Sequence, residues 1–159
     1  MLDFSDAMRL SKKVKNDKAH YREIIEDTDL CVCVTNSRGN FVACNKHYAN
    51  MLGYRKDELI GRNFLMVVPE KRQKELAQLH DDFIDIQVEI LRNWTIVGKD
   101  GHQIDISVDA GYLTLDGEGH KFTFIQPVRH YHPDGHDTRQ DHNELDASLR
   151  KRSGEQETF

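Results

Sequence analysis

Few side chains in this sequence have the type and spacing to do chemistry. His80 shares a face with Leu76, Leu79 and Phe83, at the intervals of three and four that an amphipathic helix requires. A neutral imidazole on an apolar helix face suits axial ligation of a metal, and it is also how an ordinary hydrogen-bonded core histidine reads. Trp94 lies in a β-branched run with Val88, Ile90 and Ile96, where it could stack on a planar ligand or pack into a core. Cys31, Cys33 and Cys44 form no CxxC pair and leave one thiol over in any disulfide scheme, which suits a reducing compartment and buried thiols. His130, His132, His136 and His142 have no cysteine or carboxylate at a ligand spacing beside them, so only adventitious metal binding is expected there. There is no nucleophile elbow, no phosphate-cradling glycine loop and no spaced acid and base pair. The acidic residues fall on predicted surfaces and turns, and no enzymatic activity is predicted.

The elements that would hold these residues follow from periodicity and caps. Residues 3–28 read as one helix, with Phe4, Ala7, Val14, Tyr21 and Ile25 on a thin heptad-like stripe that Ser11, Lys18 and Thr28 interrupt. Such a stripe can cover a sheet of its own chain or pair with the same helix of a second chain. Residues 30–35 and 40–44 are strand-like and flank the turn Asn36-Ser37-Arg38-Gly39, a hairpin that would set Val34 opposite Phe41 and Cys31 opposite Cys44. A Cys31–Cys44 disulfide is conceivable in that register, as are packed thiols. Asn45 stands at the N-cap of a helix over 46–52 that Gly53 closes. Asp57 can cap a single turn, Glu58-Leu59-Ile60, closed by Gly61, and Pro69 is placed to open a longer helix over 70–82. Strands are then predicted over 88–97, 102–115 and 120–128, joined by turns at 98–101 and 116–119. The class is α+β with a five-stranded antiparallel sheet and an N-terminal amphipathic helix. The polar segment after residue 128 reads as a flexible tail, in which a short helix over 143–151 is possible.

In that order, HYREIIEDTDLCVCVTNSRGNFVACNKHYANMLGYRKDELIGRNF resembles the first half of a PAS domain, and GKDGHQIDISVDAGYL and HKFTFIQPV continue the likeness over residues 20–128. Asn45, the Gly53-Tyr54 pair, Glu58-Leu59-Ile60-Gly61 and Lys99-Asp100-Gly101 carry it, and all of them read as caps and turns. The resemblance implies a sheet curved around a hollow, with the short helices and the longer one closing one face. It also implies three segments: a cap or dimerisation helix over 1–28, the domain over 29–128 and a tail over 129–159. Leu76, Leu79, His80, Phe83, Ile90, Trp94 and Ile96 are the candidates to line the hollow.

The resemblance also bears on cofactors. Light-sensing flavin members carry a reactive cysteine where this chain has Phe64, in Gly61-Arg62-Asn63-Phe64, so cysteinyl-flavin photochemistry is not expected. Haem-binding members carry a histidine on the longer helix with an aromatic three residues on, which His80 and Phe83 match about one helical turn late. Haem through His80 is therefore kept as an alternative, with flavin behind it. Many members continue their last strand into a signalling helix, whereas Pro127 disfavours that continuation here and shifts weight to the N-terminal helix.

Composition limits the rest. The chain has 159 residues, 38% of them hydrophobic, enough for one domain with a single core. A net charge of −5 supplies no basic face for nucleic acid. No signal peptide and no run near 18 apolar residues is visible, so no membrane association is expected and a cytoplasmic location is. The expectation is a non-enzymatic sensory module that binds a small ligand or a partner protein. It would signal through a homodimer built on the N-terminal helix or through an unknown signalling partner; a ligand-free adaptor is the further alternative.

Overall fold

The computed structural model describes residues 4–88 and 93–128. The N-terminal segment is two helices, α1 (Phe4–Asn16) and α2 (Tyr21–Glu26), joined by a 3-10 turn over Lys18–His20. The single helix expected over 3–28 breaks at Asp17, whose backbone leaves the helical region at φ −148 and ψ 67. Its carboxylate contacts His20 Nδ1 at 2.9 Å and its carbonyl accepts from His20 N–H at 3.2 Å. That local pairing competes with the helical ladder.

Five strands follow: β1 (Cys31–Thr35), β2 (Phe41–Cys44), β3 (Asn93–Val97), β4 (Gln103–Leu115) and β5 (Glu118–Pro127). They form one antiparallel sheet in the order β2-β1-β5-β4-β3. Asp116 and Gly117 join β4 to β5 with φ of 52 and 80, the left-handed pair that a two-residue hairpin turn demands.

The first hairpin departs from the expected register. Thr35 pairs with Phe41, the ladder slips by one residue, and Val34 then faces Ala43 while Cys33 faces Cys44. Cys31 and Cys44 are therefore not opposed. Asn40 is drawn out of the ladder into a bridge with Asn63, which lengthens the turn, and the bulge at Val42 adds a further residue. Asn45 N–H donates to the Val32 carbonyl at 3.0 Å, which makes Cys33 and Cys44 the adjacent non-hydrogen-bonded pair.

Between β2 and β3 lie α3 (Lys46–Leu52), α4 (Lys56–Leu59) and α5 (Gln73–Ile86). Asn45 caps α3 as its type predicts, accepting from Tyr48 N–H at 3.0 Å, and Gly53 closes it at φ 82. Asn45 does more than cap. It is wholly buried, accepts from Val32 N–H at 3.2 Å and donates to the carbonyls of Ile25 at 2.8 Å and Leu30 at 2.7 Å. One carboxamide thus ties α2, β1 and α3 together.

Several boundaries differ from the sequence reading: β5 begins at Glu118 rather than 120, and Val88 lies outside β3. Asp57 lies inside α4, and the cap position falls to Arg55, whose N–H is accepted by the Glu58 carboxylate at 2.8 Å. Pro69 precedes a 3-10 turn over Glu70–Arg72 rather than the α-helix itself. The longer helix runs on to Ile86, because Gln87 takes the left-handed conformation and its N–H caps the Phe83 carbonyl at 2.6 Å.

Strand alternation divides the core into two layers. On one face of the sheet Val32, Val34, Ala43, Leu113, Phe122 and Phe124 bury Ala7, Leu10 and Val14 of α1 with Tyr21 and Ile25 of α2. The apolar stripe of the N-terminal segment therefore covers its own sheet. On the opposite face Cys33, Cys44, Ile96, Ile104, Ile106, Val108 and Ile125 meet Tyr48, Ala49 and Leu52 of α3, Leu59 of α4 and Val67 of the 3-10 turn Phe64–Val67. The helices on this second face close a hollow. The segment beyond residue 128, with its histidines and the possible helix over 143–151, lies outside the described residues.

Candidate functional site

The hollow is walled by alternate residues of the central strand β5 and its neighbour β1. Cys33 and Thr35 of β1 and Lys121, Thr123 and Ile125 of β5 face into it, while Val32, Val34, Phe122 and Phe124 between them face α1 and α2. Trp94 and Ile96 of β3 close one side. Leu76, Leu79 and His80, one face of α5, form the lid together with Phe64 and Val67. The cavity measures about 30 Å³, space for about two water molecules at the roughly 10–15 Å³ that each requires.

His80 is the centre of the lid. It is 4% exposed, its Nε2 lies 3.0 Å from Thr35 Oγ1, and its ring stacks on Phe64 at 5.2 Å between centroids. Burial pulls its pKa down to about 4, with the nearby Lys121 ammonium acting in the same direction, so the imidazole is neutral at pH 7. The Lys121 ammonium stands 4.9 Å from the centroid of the Phe83 ring, which is itself tilted against Tyr112. Burial raises the Cys33 thiol to about 12, with the Cys44 thiol adding to the shift and hydrogen bonds to Tyr48 and Thr123 opposing it. Cys31 and Cys44 are each held at about 11, again by burial first. Such thiols are poor nucleophiles. Among the described residues, Trp94 Nε1 and Gln126 Oε1 are the buried side-chain polar atoms with no hydrogen-bond partner.

Of the seven candidate lining residues, Leu76, Leu79, His80, Trp94 and Ile96 come together on the hollow. Phe83 lies one turn further along α5, beneath Lys121 rather than in the cavity wall, and Ile90 falls outside the described residues. The sequence reading missed Thr35, Lys121 and Thr123, the polar part of the wall. The signal that could have found them was the period of two in CVCVT and KFTFI.

The motif residues serve the scaffold. Tyr54 packs on the core with the Lys99 ammonium 5.9 Å from its centroid, and Asp100 accepts from His102 N–H at 2.9 Å ahead of Gly101 at φ 88. Haem does not fit the residues present. His80 Nε2 is already engaged by Thr35, Phe64 covers the ring, and the cavity is about a tenth of the roughly 300 Å³ at which cofactor pockets begin. Flavin fails on the same volume.

A curled five-stranded antiparallel sheet with α3, α4 and α5 folded over a small hollow is a PAS-like α+β architecture. The chain belongs to the PAS family: the model of the PAS fold matches residues 19–128. The PAS domain of a Desulfitobacterium hafniense protein superposes with a TM-score of 0.62 at 18% identity, covering 67% of this chain and 99% of that one. Cycle PAS-B of Drosophila melanogaster, solved with bound ethylene glycol, gives 0.55 at 12% identity over 62% of this chain and 99% of its own. A PAS domain from a LuxR-family transcriptional regulator of Burkholderia thailandensis, in complex with ethanol, gives 0.54 at 15% over 68% and 96%. A search of curated proteins finds no match. PAS domains are typically modules of sensing and signal transduction, and among the described residues no helix is long and apolar enough to cross a membrane.

Proposed function

We propose that this chain is a non-enzymatic sensory module whose hollow takes a ligand of about two to four non-hydrogen atoms and whose output element is the α1–α2 segment. The observation that carries this reading is the sharing of β1 and β5. Thr35 and Lys121 face the hollow, while Val34 and Phe122, their neighbours along the same strands, hold α1 and α2. A ligand that shifts these strands moves the seat of the helices, and it acts as a signal insofar as it prefers one of two arrangements of them. The size of the cavity supports a small occupant. So do the ethanol and ethylene glycol held by two structural neighbours.

The homodimer expected through the N-terminal helix has to use the face of α1 turned away from the sheet. That face offers Met8, 68% exposed, among charged side chains. A partner protein or a second copy received there, in the cytoplasm, completes the reading.

Hydrogen exchange read by mass spectrometry, with and without ethylene glycol or ethanol, tests it. The expected result is altered protection in both the hollow-lining peptides and those spanning residues 4–26. Protection that changes around the hollow while residues 4–26 stay unaltered would remove α1–α2 as the output. Light scattering in parallel reads whether the mass doubles.

A further inference from the structure

Surface charge in this chain is sorted by helix. Lys12, Lys13 and Lys15 are exposed on the second half of α1, outside the stripe of Ala7, Leu10 and Val14 that packs on the sheet. Asp81, Asp82 and Asp85 stand on the last two turns of α5, with Asp81 and Asp85 exposed. Among the described residues none of these six side chains has an ion pair. The lysines suit their own helix, since cations favour the negative end of its dipole. The aspartates oppose theirs: Asp81 and Asp85 are like charges four residues apart, near a helix C-terminus whose last turn holds no basic residue. The acidic end of α5 is therefore the side left without a counter-charge.

That end is also apolar at its tip. Ile86 and Val88 are each 56% exposed, and with Met8 they are three of the four exposed large hydrophobics among the described residues. Gln87, between them, borders one groove with Met8, Ser11 and Lys15, above Gly111 of β4 and Phe124 of β5. A cationic helix and an anionic helix end thus meet at a single groove.

Resting on the homodimer reading above, we infer that this face receives a second copy of this chain across a two-fold axis, with Lys12 and Lys15 of each copy set against Asp81 and Asp85 of the other. A two-fold axis through the groove carries the cationic side of one copy onto the anionic side of the other, and every contact is made twice. Pairing α1 with α1 would instead bring lysines onto lysines and leave the aspartates unmatched. Met8, Ile86 and Val88 supply apolar area at the centre, and the charges fix its orientation. Local sorting has to do this, because the net charge of −5 makes two copies repel at long range.

Sedimentation velocity of the full chain tests the arrangement, with two charge-reversed variants, Lys12→Glu/Lys15→Glu and Asp81→Lys/Asp85→Lys, run singly and as an equimolar mixture. The parent should dimerise and should dissociate more readily as sodium chloride rises from about 0.1 M to about 1 M, where the screening length falls from about 10 Å to about 3 Å. Each variant alone should have a dissociation constant at least about ten-fold higher, because both contacts become repulsive. The mixture should recover most of that loss, because in the mixed dimer both contacts are again between opposite charges. All four positions are exposed, and urea unfolding followed by Trp94 fluorescence reports that each variant is folded. Variants that dimerise as tightly as the parent, or a mixture as weak as its components, would overturn the pairing of α1 with α5 and leave a homodimer through α1 standing. A parent that stays monomeric at roughly 1 mM would overturn the second copy altogether and leave a partner protein to receive α1.

Discussion

Replacing Asn45 gives the sharpest test of how the scaffold is held. Asn→Ala at a simple N-cap costs about 1 kcal/mol and Asn→Asp costs nothing, since either side chain accepts from the first turn. Asn45 is different, because its two donated bonds to Ile25 and Leu30 matter as much as its two accepted ones from Val32 and Tyr48. With the residue fully buried, Asn45→Ala strands two N–H groups and two carbonyls. At about 1 kcal/mol for each lost bond the loss is about 4 kcal/mol, a large part of the roughly 5–15 kcal/mol that holds a domain of this size. Asn45→Asp keeps the accepted bonds and points a carboxylate at two carbonyls, so it should lose about 3 kcal/mol near neutral pH. It should regain part of that as the pH falls and a protonated oxygen can donate. Urea unfolding followed by Trp94 fluorescence measures both variants. An alanine variant within about 1 kcal/mol of the parent, or an aspartate variant as stable as the parent, would refute the reasoning, because Asn45 would then be a cap and nothing more.

Three further outcomes follow from the same geometry. The folded pKa of His80 is depressed from 6.5 to about 4, so the stability it confers is present above pH 6.5 and is lost as the pH falls toward 4, by the order of 3 kcal/mol; urea midpoints of the parent and His80→Leu across that window should converge on acidification. The three thiols have folded pKa values raised from 9.0 to about 11 or 12, so their contribution is present below pH 9 and is lost as the pH rises through that interval. An aromatic disulfide reagent at pH 8 should react slowly with the native chain and with three thiols once it is unfolded, and a disulfide forced by a stronger oxidant should map to Cys33–Cys44, the close non-bonded pair, rather than to Cys31–Cys44. Leu10→Ala should cost about 2 kcal/mol in urea unfolding, because Leu10 is 8% exposed against the outer face of the sheet; an unchanged midpoint would mean that α1 does not rest there in solution.

What was legible in the sequence was local chemistry. Asn45 and Gly53 bracket α3 because a cap needs nothing beyond its own turn, and the turn read over 116–119 does hold a hairpin, tightened to Asp116-Gly117 because both take the left-handed conformation. Leu76, Leu79 and His80 could be placed on one face because a helix imposes its own period. The errors lie where distant segments decide. The register of the first hairpin depends on Asn40 bridging to Asn63, and the break at Asp17 depends on a side-chain pairing that outweighs helix propensity. The polar wall of the hollow was hidden for a related reason. Thr35, Lys121 and Thr123 look like outward residues of any strand until β1 and β5 are known to be neighbours at the middle of the sheet, with helices on both sides.

That central placement also bounds how the domain can signal. A ligand of four non-hydrogen atoms gains at most about 6 kcal/mol at the ceiling of about 1.5 kcal/mol per atom, and only the part that differs between two arrangements can shift them. Turning an equilibrium from 1:99 to 99:1 takes about 5.5 kcal/mol of differential affinity. On the proposed reading, an occupant of a hollow of about 30 Å³ has almost no margin for a complete switch against a strongly biased scaffold, and the α1–α2 segment would need to lie near balance already. Its short helices fit that requirement, since α2 has 6 residues and the segment is interrupted at Asp17. A graded change in how tightly this segment is seated, rather than an all-or-none release, is the response that these energies permit.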